Sequence, residues 1–287
     1  MKQNFDIKKI LGRRYRVGRR IGKGGMGCVY QVYCGENNRQ YAAKIIENTM
    51  ESLGEQEARL LLKLNHPMLP EIREYFHYEY FTVIIMEFIY GCNMEEYIKK
   101  NGPVSKKKAV LYLRQLSDVL TYLHGQKPPV IYRDLKPSNI MVENKDSLKL
   151  IDFGTARSFK GESGNDTVAL GTPGYAAPEQ LSGVAQSDAR TDIYSLGATM
   201  YYILTGIDIA KPPFEAKPIH LIRSDIDNHL SDIIVKCLQK NPQNRFQSLT
   251  DLIRELDYGE VHFKKQEGHE VNPVNIVITH SNKSIKF

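Results

Sequence analysis

Between Tyr15 and Phe88 short runs of β-branched and aromatic residues alternate with glycine or asparagine clusters, which predicts strands over residues 15–21, 27–33 and 40–46. Asn37-Asn38 supplies a turn between the second and third. The period then changes. Over residues 51–64, Leu60, Leu61 and Leu64 share one helical face, and His66-Pro67 closes that helix. Two further strands, near residues 72–78 and 81–88, complete a small sheet with one helix.

After Gly91 the spacing is helical. Ser105 is a good N-cap for a long helix in which Val110, Leu113, Leu116, Leu120 and Leu123 recur at intervals of three and four. Residues 191–205 are apolar nearly all round, which marks a buried helix, and Gly206 follows as its stop. Leu249, Leu252, Ile253 and Leu256 predict a last amphipathic helix. From Gly259 to Phe287 the chain is polar without a sustained period and reads as a tail or linker.

Composition narrows the class. Of 287 residues 41% are hydrophobic and 25% charged, an ordinary globular balance that excludes collagenous, low-complexity and wholly disordered chains. No apolar run reaches the roughly 18 residues of a membrane span, since Glu87 breaks the run over residues 81–90. The basic N-terminus lacks the apolar core of a secretory signal. Cys28, Cys34, Cys92 and Cys237 show no metal-ligand spacing and fit a reducing compartment, so a cytoplasmic protein is expected. The net charge is +6, and Lys2, Lys8, Lys9, Arg13, Arg14, Arg16, Arg19 and Arg20 crowd the N-terminus against Asp6 alone. Such a cluster suits nucleic acid or an anionic membrane. Without interleaved aromatics or a nucleic-acid module, it reads instead as a solvated arm and first strand, with no nucleic-acid partner expected.

Three stretches carry chemistry. Ile21 leads into Gly22-Lys23-Gly24-Gly25-Met26-Gly27, then Cys28-Val29. Glycines at this spacing let a backbone approach phosphate oxygens, and a strand on each side makes a hairpin flap the better geometry than a dinucleotide turn between strand and helix. Tyr41-Ala42-Ala43-Lys44 ends an apolar strand in a lysine, which needs a partner if it faces the core. Glu57 and Glu55 both qualify, and a solvent-facing lysine is the plain alternative. The third stretch joins Ile131-Tyr132-Arg133-Asp134-Leu135-Lys136-Pro137-Ser138-Asn139 to Ile151-Asp152-Phe153-Gly154. Asp152 and the Asn139 carbonyl are oxygen ligands of the kind Mg²⁺ takes beside phosphates. Asp134 can accept a hydroxyl proton, and Lys136 is a point charge near the transferred phosphate.

With Ala177-Pro178-Glu179 completing the order, these motifs over residues 15–256 resemble the eukaryotic-type (Hanks-type) protein kinases, particularly the bacterial serine/threonine branch. The resemblance implies an α+β bilobal protein-kinase fold, with a β-rich N-lobe with one main helix (15–89) and a larger, mainly helical C-lobe (90–256). Residues 1–14 are then a basic arm and 257–287 a tail. It implies ATP and Mg²⁺, with Mn²⁺ as a substitute, as cofactors, and ATP and protein substrates as partners. A second copy would associate transiently for autophosphorylation in trans. Lys44 would hold the α- and β-phosphates and pair with Glu57, which stands ten residues before Pro67 as the family's glutamate does before its proline. Asp134 would be the base, Asp152 and Asn139 the metal ligands, Met86 the gatekeeper, and Glu87, Phe88 and Ile89 the hinge. Val29, Ala42 and Met141 would sandwich the purine. Lys136 with Pro137-Ser138-Asn139, and Thr172 in Gly171-Thr172-Pro173-Gly174-Tyr175, imply serine/threonine specificity. Arg133 and Arg157 would form a cationic pocket for a phosphorylated Thr167, with Ser163 as second choice, and Glu179 would pair with Arg245.

One position departs from the family. Tyr132 stands where His is usual, packing beneath Phe153 in a column with Leu61 and Ile72, its hydroxyl within reach of a buried partner such as Asp192. A nucleotide-binding pseudokinase or scaffold is the alternative function, although such chains commonly lack the Lys44, Asp134 or Asp152 equivalents. A small-molecule phosphotransferase is a third reading, against which the 171–179 stretch argues.

Overall fold

The computed structural model describes residues 6–24, 27–47, 53–158, 172–182, 187–211 and 216–266. The chain begins with α1 (Ile7–Leu11), β1 (Tyr15–Gly24), β2 (Gly27–Cys34), β3 (Gln40–Glu47), α2 (Leu53–Leu61), β4 (Ile72–Tyr78) and β5 (Phe81–Glu87). It continues through β6 (Cys92–Asn93), α3 (Met94–Asn101), α4 (Lys106–His124), β7 (Val130–Ile131), β8 (Ile140–Val142), β9 (Leu148–Leu150) and β10 (Arg157–Ser158). Four helices finish it: α5 (Pro178–Ser182), α6 (Ala189–Thr205), α7 (Asn228–Cys237) and α8 (Leu249–Gln266). The architecture is the expected α+β one, a strand-rich N-lobe followed by a helical C-lobe.

The N-lobe sheet is antiparallel in the order β1-β2-β3-β5-β4. Its register sorts side chains between two faces, because directly paired residues share a face. Tyr30, Ala43 and Ile85 are cross-strand partners, and with Val32, Ile45 and Val83 they build one apolar cluster. Val29 pairs with Lys44 and Ala42 with Met86, which puts these four on the opposite face with Ile84 and Ile46, toward α2.

The first face is covered by a helix that the hydrophobic pattern does not announce. Ile10 and Leu11 of α1 are buried with Tyr15, Val32 and Cys34, while Lys8 and Lys9 stay in solvent. The segment read as a solvated arm is thus anchored to the sheet. Asp6 caps α1 by accepting from the Lys8 amide at 3.0 Å.

In the C-lobe, α4 starts at the expected cap, Ser105 accepting from Lys108 N. Asp188 and Thr191 form a capping box on α6, whose side chains are almost all buried, and Gly206 ends it at φ 70°. One continuous core joins α4, α6, α7 and α8 and reaches up to Leu61 of α2, with Ile72 packed against it. The last helix runs past Leu256 to Gln266, so residues 257–266, read as the start of a tail, belong to α8. No helix among the described residues is long and apolar enough to cross a membrane.

Candidate active site

The sheet face that carries Lys44 meets the C-lobe at Asp152. The Lys44 ammonium lies 2.7 Å from each carboxylate oxygen of Glu57 and 2.8 Å from Asp152 Oδ1. Glu57 is therefore the partner. Glu55 instead takes Arg59, one turn along α2. Lys44 and Glu57 are both buried, a costly arrangement unless charges and hydrogen bonds are matched. Burial works against the Lys44 charge, but Glu57 and Asp152 outweigh it and raise its pKa. Burial likewise disfavours the Asp152 carboxylate, and the neighbouring Lys44 ammonium more than offsets this and lowers its pKa.

Asp152 occupies a strained turn at φ 67°. Its neighbours hold it there. Ile151 N donates to the Asn139 carbonyl at 2.9 Å, and Phe153 N donates to Glu57 Oε1 at 3.1 Å. Phe153 lies edge-on to Tyr132, the ring centroids 5.0 Å apart. The Tyr132 hydroxyl does not go to Asp192 as the sequence suggested; it donates to the Ile151 carbonyl. Asp192 is spent elsewhere, accepting from the backbone amides of Tyr132 at 2.9 Å and Arg133 at 2.8 Å while His124 Nε2 lies 2.7 Å away.

Below them, Asp134 is gripped on several sides. Asn139 Nδ2 donates to both its carbonyl and its Oδ2 at 2.9 Å, and Lys136 Nζ lies 2.8 Å from Oδ2. The Thr172 hydroxyl accepts from Lys136 at 2.7 Å and donates to Asp134 Oδ1 at 3.3 Å. Asn139 thus touches Asp134 with its side chain and the strand leading to Asp152 with its backbone. Because its amide nitrogen is committed to Asp134, its amide oxygen is the atom left for a cation. With the ionised Asp152 carboxylate this makes a two-residue, all-oxygen donor set, which fits Mg²⁺ held partly by substrate phosphates.

The flap forms as a β1–β2 hairpin with Gly22 opposite Val29, Lys23 opposite Cys28 and Gly24 opposite Gly27. Gly27 has no substitute, since a Cβ there would lie 2.3 Å from the Ile45 carbonyl oxygen. Gly25 and Met26 lie outside the described residues, as do Thr167 and Ser163. Ile21 is exposed, Ala42 is buried, and Val29, Met86, Glu87, Phe88, Ile89 and Met141 are half-buried. Arg157 pairs through its backbone with Ile131, and Arg133 is buried at φ 71°.

A family model described as the protein kinase domain matches residues 15–256. The chain belongs to the protein kinase family. The chain is 31% identical over 269 residues to a probable serine/threonine-protein kinase of Clostridium perfringens, covering 88% of this chain and 39% of that protein. It is also 30% identical over 274 residues to the serine/threonine-protein kinase PknB of Mycolicibacterium smegmatis, covering 86% and 43%. The chain therefore spans about two-fifths of the length of these curated relatives.

Some contacts of the kinase domain have no local sequence signal. Lys149 on β9 lies 2.8 and 2.6 Å from the two carboxylate oxygens of Glu87, fastening the end of β5 to the C-lobe. Gln180 on α5 donates to the Arg133 carbonyl at 2.9 Å. Glu179, by contrast, makes its expected pair, its two oxygens 2.7 and 2.8 Å from the Arg245 guanidinium.

Proposed function

We propose that this kinase domain transfers the γ-phosphoryl group of ATP to serine and threonine hydroxyls of proteins. The observation that carries this reading is the convergence of Lys44, Asp152, Asn139 and Asp134: Lys44 bonds Asp152, the adjacent Ile151 amide bonds the Asn139 carbonyl, and the Asn139 side chain bonds Asp134. In the transfer, the acceptor oxygen bonds to the γ-phosphorus, the bond to the bridging oxygen breaks and ADP leaves. Asp134 takes the hydroxyl proton, a role worth about 10²–10⁴ in rate. Lys136, beside it, offsets negative charge on the transferred group. Lys44 holds the α- and β-phosphates, its own direction fixed by Glu57. Asp152 and Asn139 are the residues to hold Mg²⁺, which neutralises phosphate charge when bound. The flap residues Ile21, Gly22, Lys23, Gly24, Gly25, Met26 and Gly27 cover the phosphates; Val29, Ala42, Met86 and Met141 enclose the base, and the backbone of Glu87–Ile89 reads it.

The Thr172–Lys136–Asp134 contacts support a serine/threonine acceptor. We assign Thr167 as an activating phosphosite answered by Arg133 and Arg157, since a phosphate brings about −1.5 to −2 charges to such a pair. The test is incubation of purified protein with radiolabelled ATP and Mg²⁺, followed by phosphoamino-acid analysis. Label on serine or threonine, lost in Asp134→Asn and in Asp152→Asn, is expected. Nucleotide binding without transfer would establish the pseudokinase instead. Unchanged segment phosphorylation and activity in Thr167→Ala would remove the phosphosite.

A further inference from the structure

Four successive carbonyls of the catalytic loop are each taken by a side chain, three of them from outside the loop. Thr155 Oγ1 donates to Tyr132 O at 3.4 Å, Gln180 Nε2 to Arg133 O at 2.9 Å, Asn139 Nδ2 to Asp134 O at 2.9 Å and Thr199 Oγ1 to Leu135 O at 3.2 Å. The Arg133 peptide needs this most. Its φ of 71° is sparsely populated for a residue with a side chain, and its carbonyl carbon is bonded to the Asp134 nitrogen. Any rotation of that peptide re-aims the Asp134 carboxylate. Asp192 fixes the amide side of Arg133, and Gln180 fixes the carbonyl side.

Gln180 is itself set in one orientation. Only 2% of it is exposed, and its Oε1 accepts from Ala177 N at 3.0 Å. A flipped amide would turn an NH₂ toward the Ala177 N–H and an oxygen toward the Arg133 carbonyl, losing both bonds. Its backbone belongs to α5, in the same stretch that carries Thr172. That stretch therefore touches Asp134 twice, at the carboxylate through the Thr172 hydroxyl and at the preceding peptide through Gln180.

We propose that Gln180 is a positioning residue for phosphoryl transfer, making the aim of Asp134 depend on the seating of α5. The inference rests on the kinase reading above. It goes further in naming a donor, outside the nucleotide and metal residues, through which the end of the 172–180 stretch controls the base.

Two variants separate positioning from simple capping of α5. Gln180→Glu keeps an acceptor for the Ala177 N–H but has no donor for Arg133 O; Gln180→Met keeps the bulk and loses both bonds. Steady-state phosphorylation of a protein substrate gives kcat and KM, calorimetry gives the affinity for Mg²⁺-nucleotide, and thermal melts report folding. Both variants are expected to lose roughly 10- to 100-fold in kcat, with nucleotide KM and affinity within about twofold of wild type. Wild-type turnover by Gln180→Glu would overturn the proposal, as would a fall in nucleotide affinity parallel to the fall in kcat. Should Gln180→Glu fail to fold, the split between kcat and KM in Gln180→Met decides the same way. A wild-type protein that transfers no phosphate removes the kinase reading and this inference together, whereas an active wild type with a fully active Gln180→Glu removes the inference alone.

Discussion

Glu57 holds Lys44 through both of its carboxylate oxygens and gives one of them to the Phe153 amide as well. A single side chain on α2 thus sets both Lys44 and the turn that presents Asp152. Glu57→Gln leaves Lys44 with Asp152 as its remaining carboxylate. Its stability loss should fall short of the about 3–5 kcal/mol typical of breaking a buried pair. Turnover should nevertheless drop by roughly 100-fold, because Nζ shifts toward Asp152 and away from its phosphate-binding position. Paired melting curves and phosphotransfer assays check this, and equal turnover by variant and wild type would contradict it.

Lys44 and Asp152 both titrate outside the ordinary working range. The folded pKa of Asp152 is lowered, so its stabilisation is present above the unfolded value near about 3.9 and is lost as pH falls through the lower folded value. That of Lys44 is raised, so its contribution is complete below about 10.4 and is lost as pH rises through the higher folded value. Removing the ammonium in Lys44→Met leaves burial to push Asp152 upward. With its folded pKa no longer held below the unfolded value, protonation of Asp152 no longer opposes folding, so the acid loss of melting temperature should be shallower in Lys44→Met than in wild type. Superimposable acid limbs would sink the assignment.

Arg245 is fully buried, forked onto Glu179, and also donates to the carbonyls of Arg190, Gln239 and Lys240. Truncation in Arg245→Ala takes the guanidinium from the Glu179 carboxylate, which keeps the Thr191 hydroxyl, and leaves three carbonyls without it as well. A loss of about 3–5 kcal/mol is expected, visible as a melting point lower by on the order of 10 °C. Replacing both partners with apolar residues in Glu179→Met/Arg245→Met should be milder than the single truncation.

Tyr132 tests whether the hydroxyl or the ring matters at this position. Tyr132→Phe keeps the edge-on packing against Phe153 and leaves the Ile151 carbonyl without its hydroxyl donor. An unsatisfied buried acceptor costs about 1–3 kcal/mol. Because Ile151 precedes Asp152, the loss should appear in Mg²⁺-nucleotide affinity as well as in the melt. An unchanged affinity would confine Tyr132 to packing.

How far the sequence could be read follows from how far apart the interacting residues lie. The β2–β3 hairpin at Asn37-Asn38, the Ser105 cap and the Gly206 stop are local devices, legible because cause and effect sit within a few residues. The pairing of Lys44 with Glu57 was anticipated from a motif rather than from spacing, which left Glu55 equally eligible. Other features had no such pointer. Five-residue α1 is too short for periodicity to register, and its burial depends on a sheet face that exists only after β2, β3 and β5 pair. The hydroxyl of Tyr132 was read toward Asp192, which the fold commits to two backbone amides.

The sequence alone determined the five N-lobe strands, the long helices, the family and the chemical types near Lys44 and Asp134, because strand and helix periods, caps and phosphate-binding glycines are written within short windows. Tertiary structure alone decided which donor meets which acceptor. Gln180 reaches Arg133 across 47 positions, Tyr132 N reaches Asp192 across 60 and Lys149 reaches Glu87 across 62. Buried polar groups must find partners wherever packing brings them, and no pattern along the chain encodes that proximity.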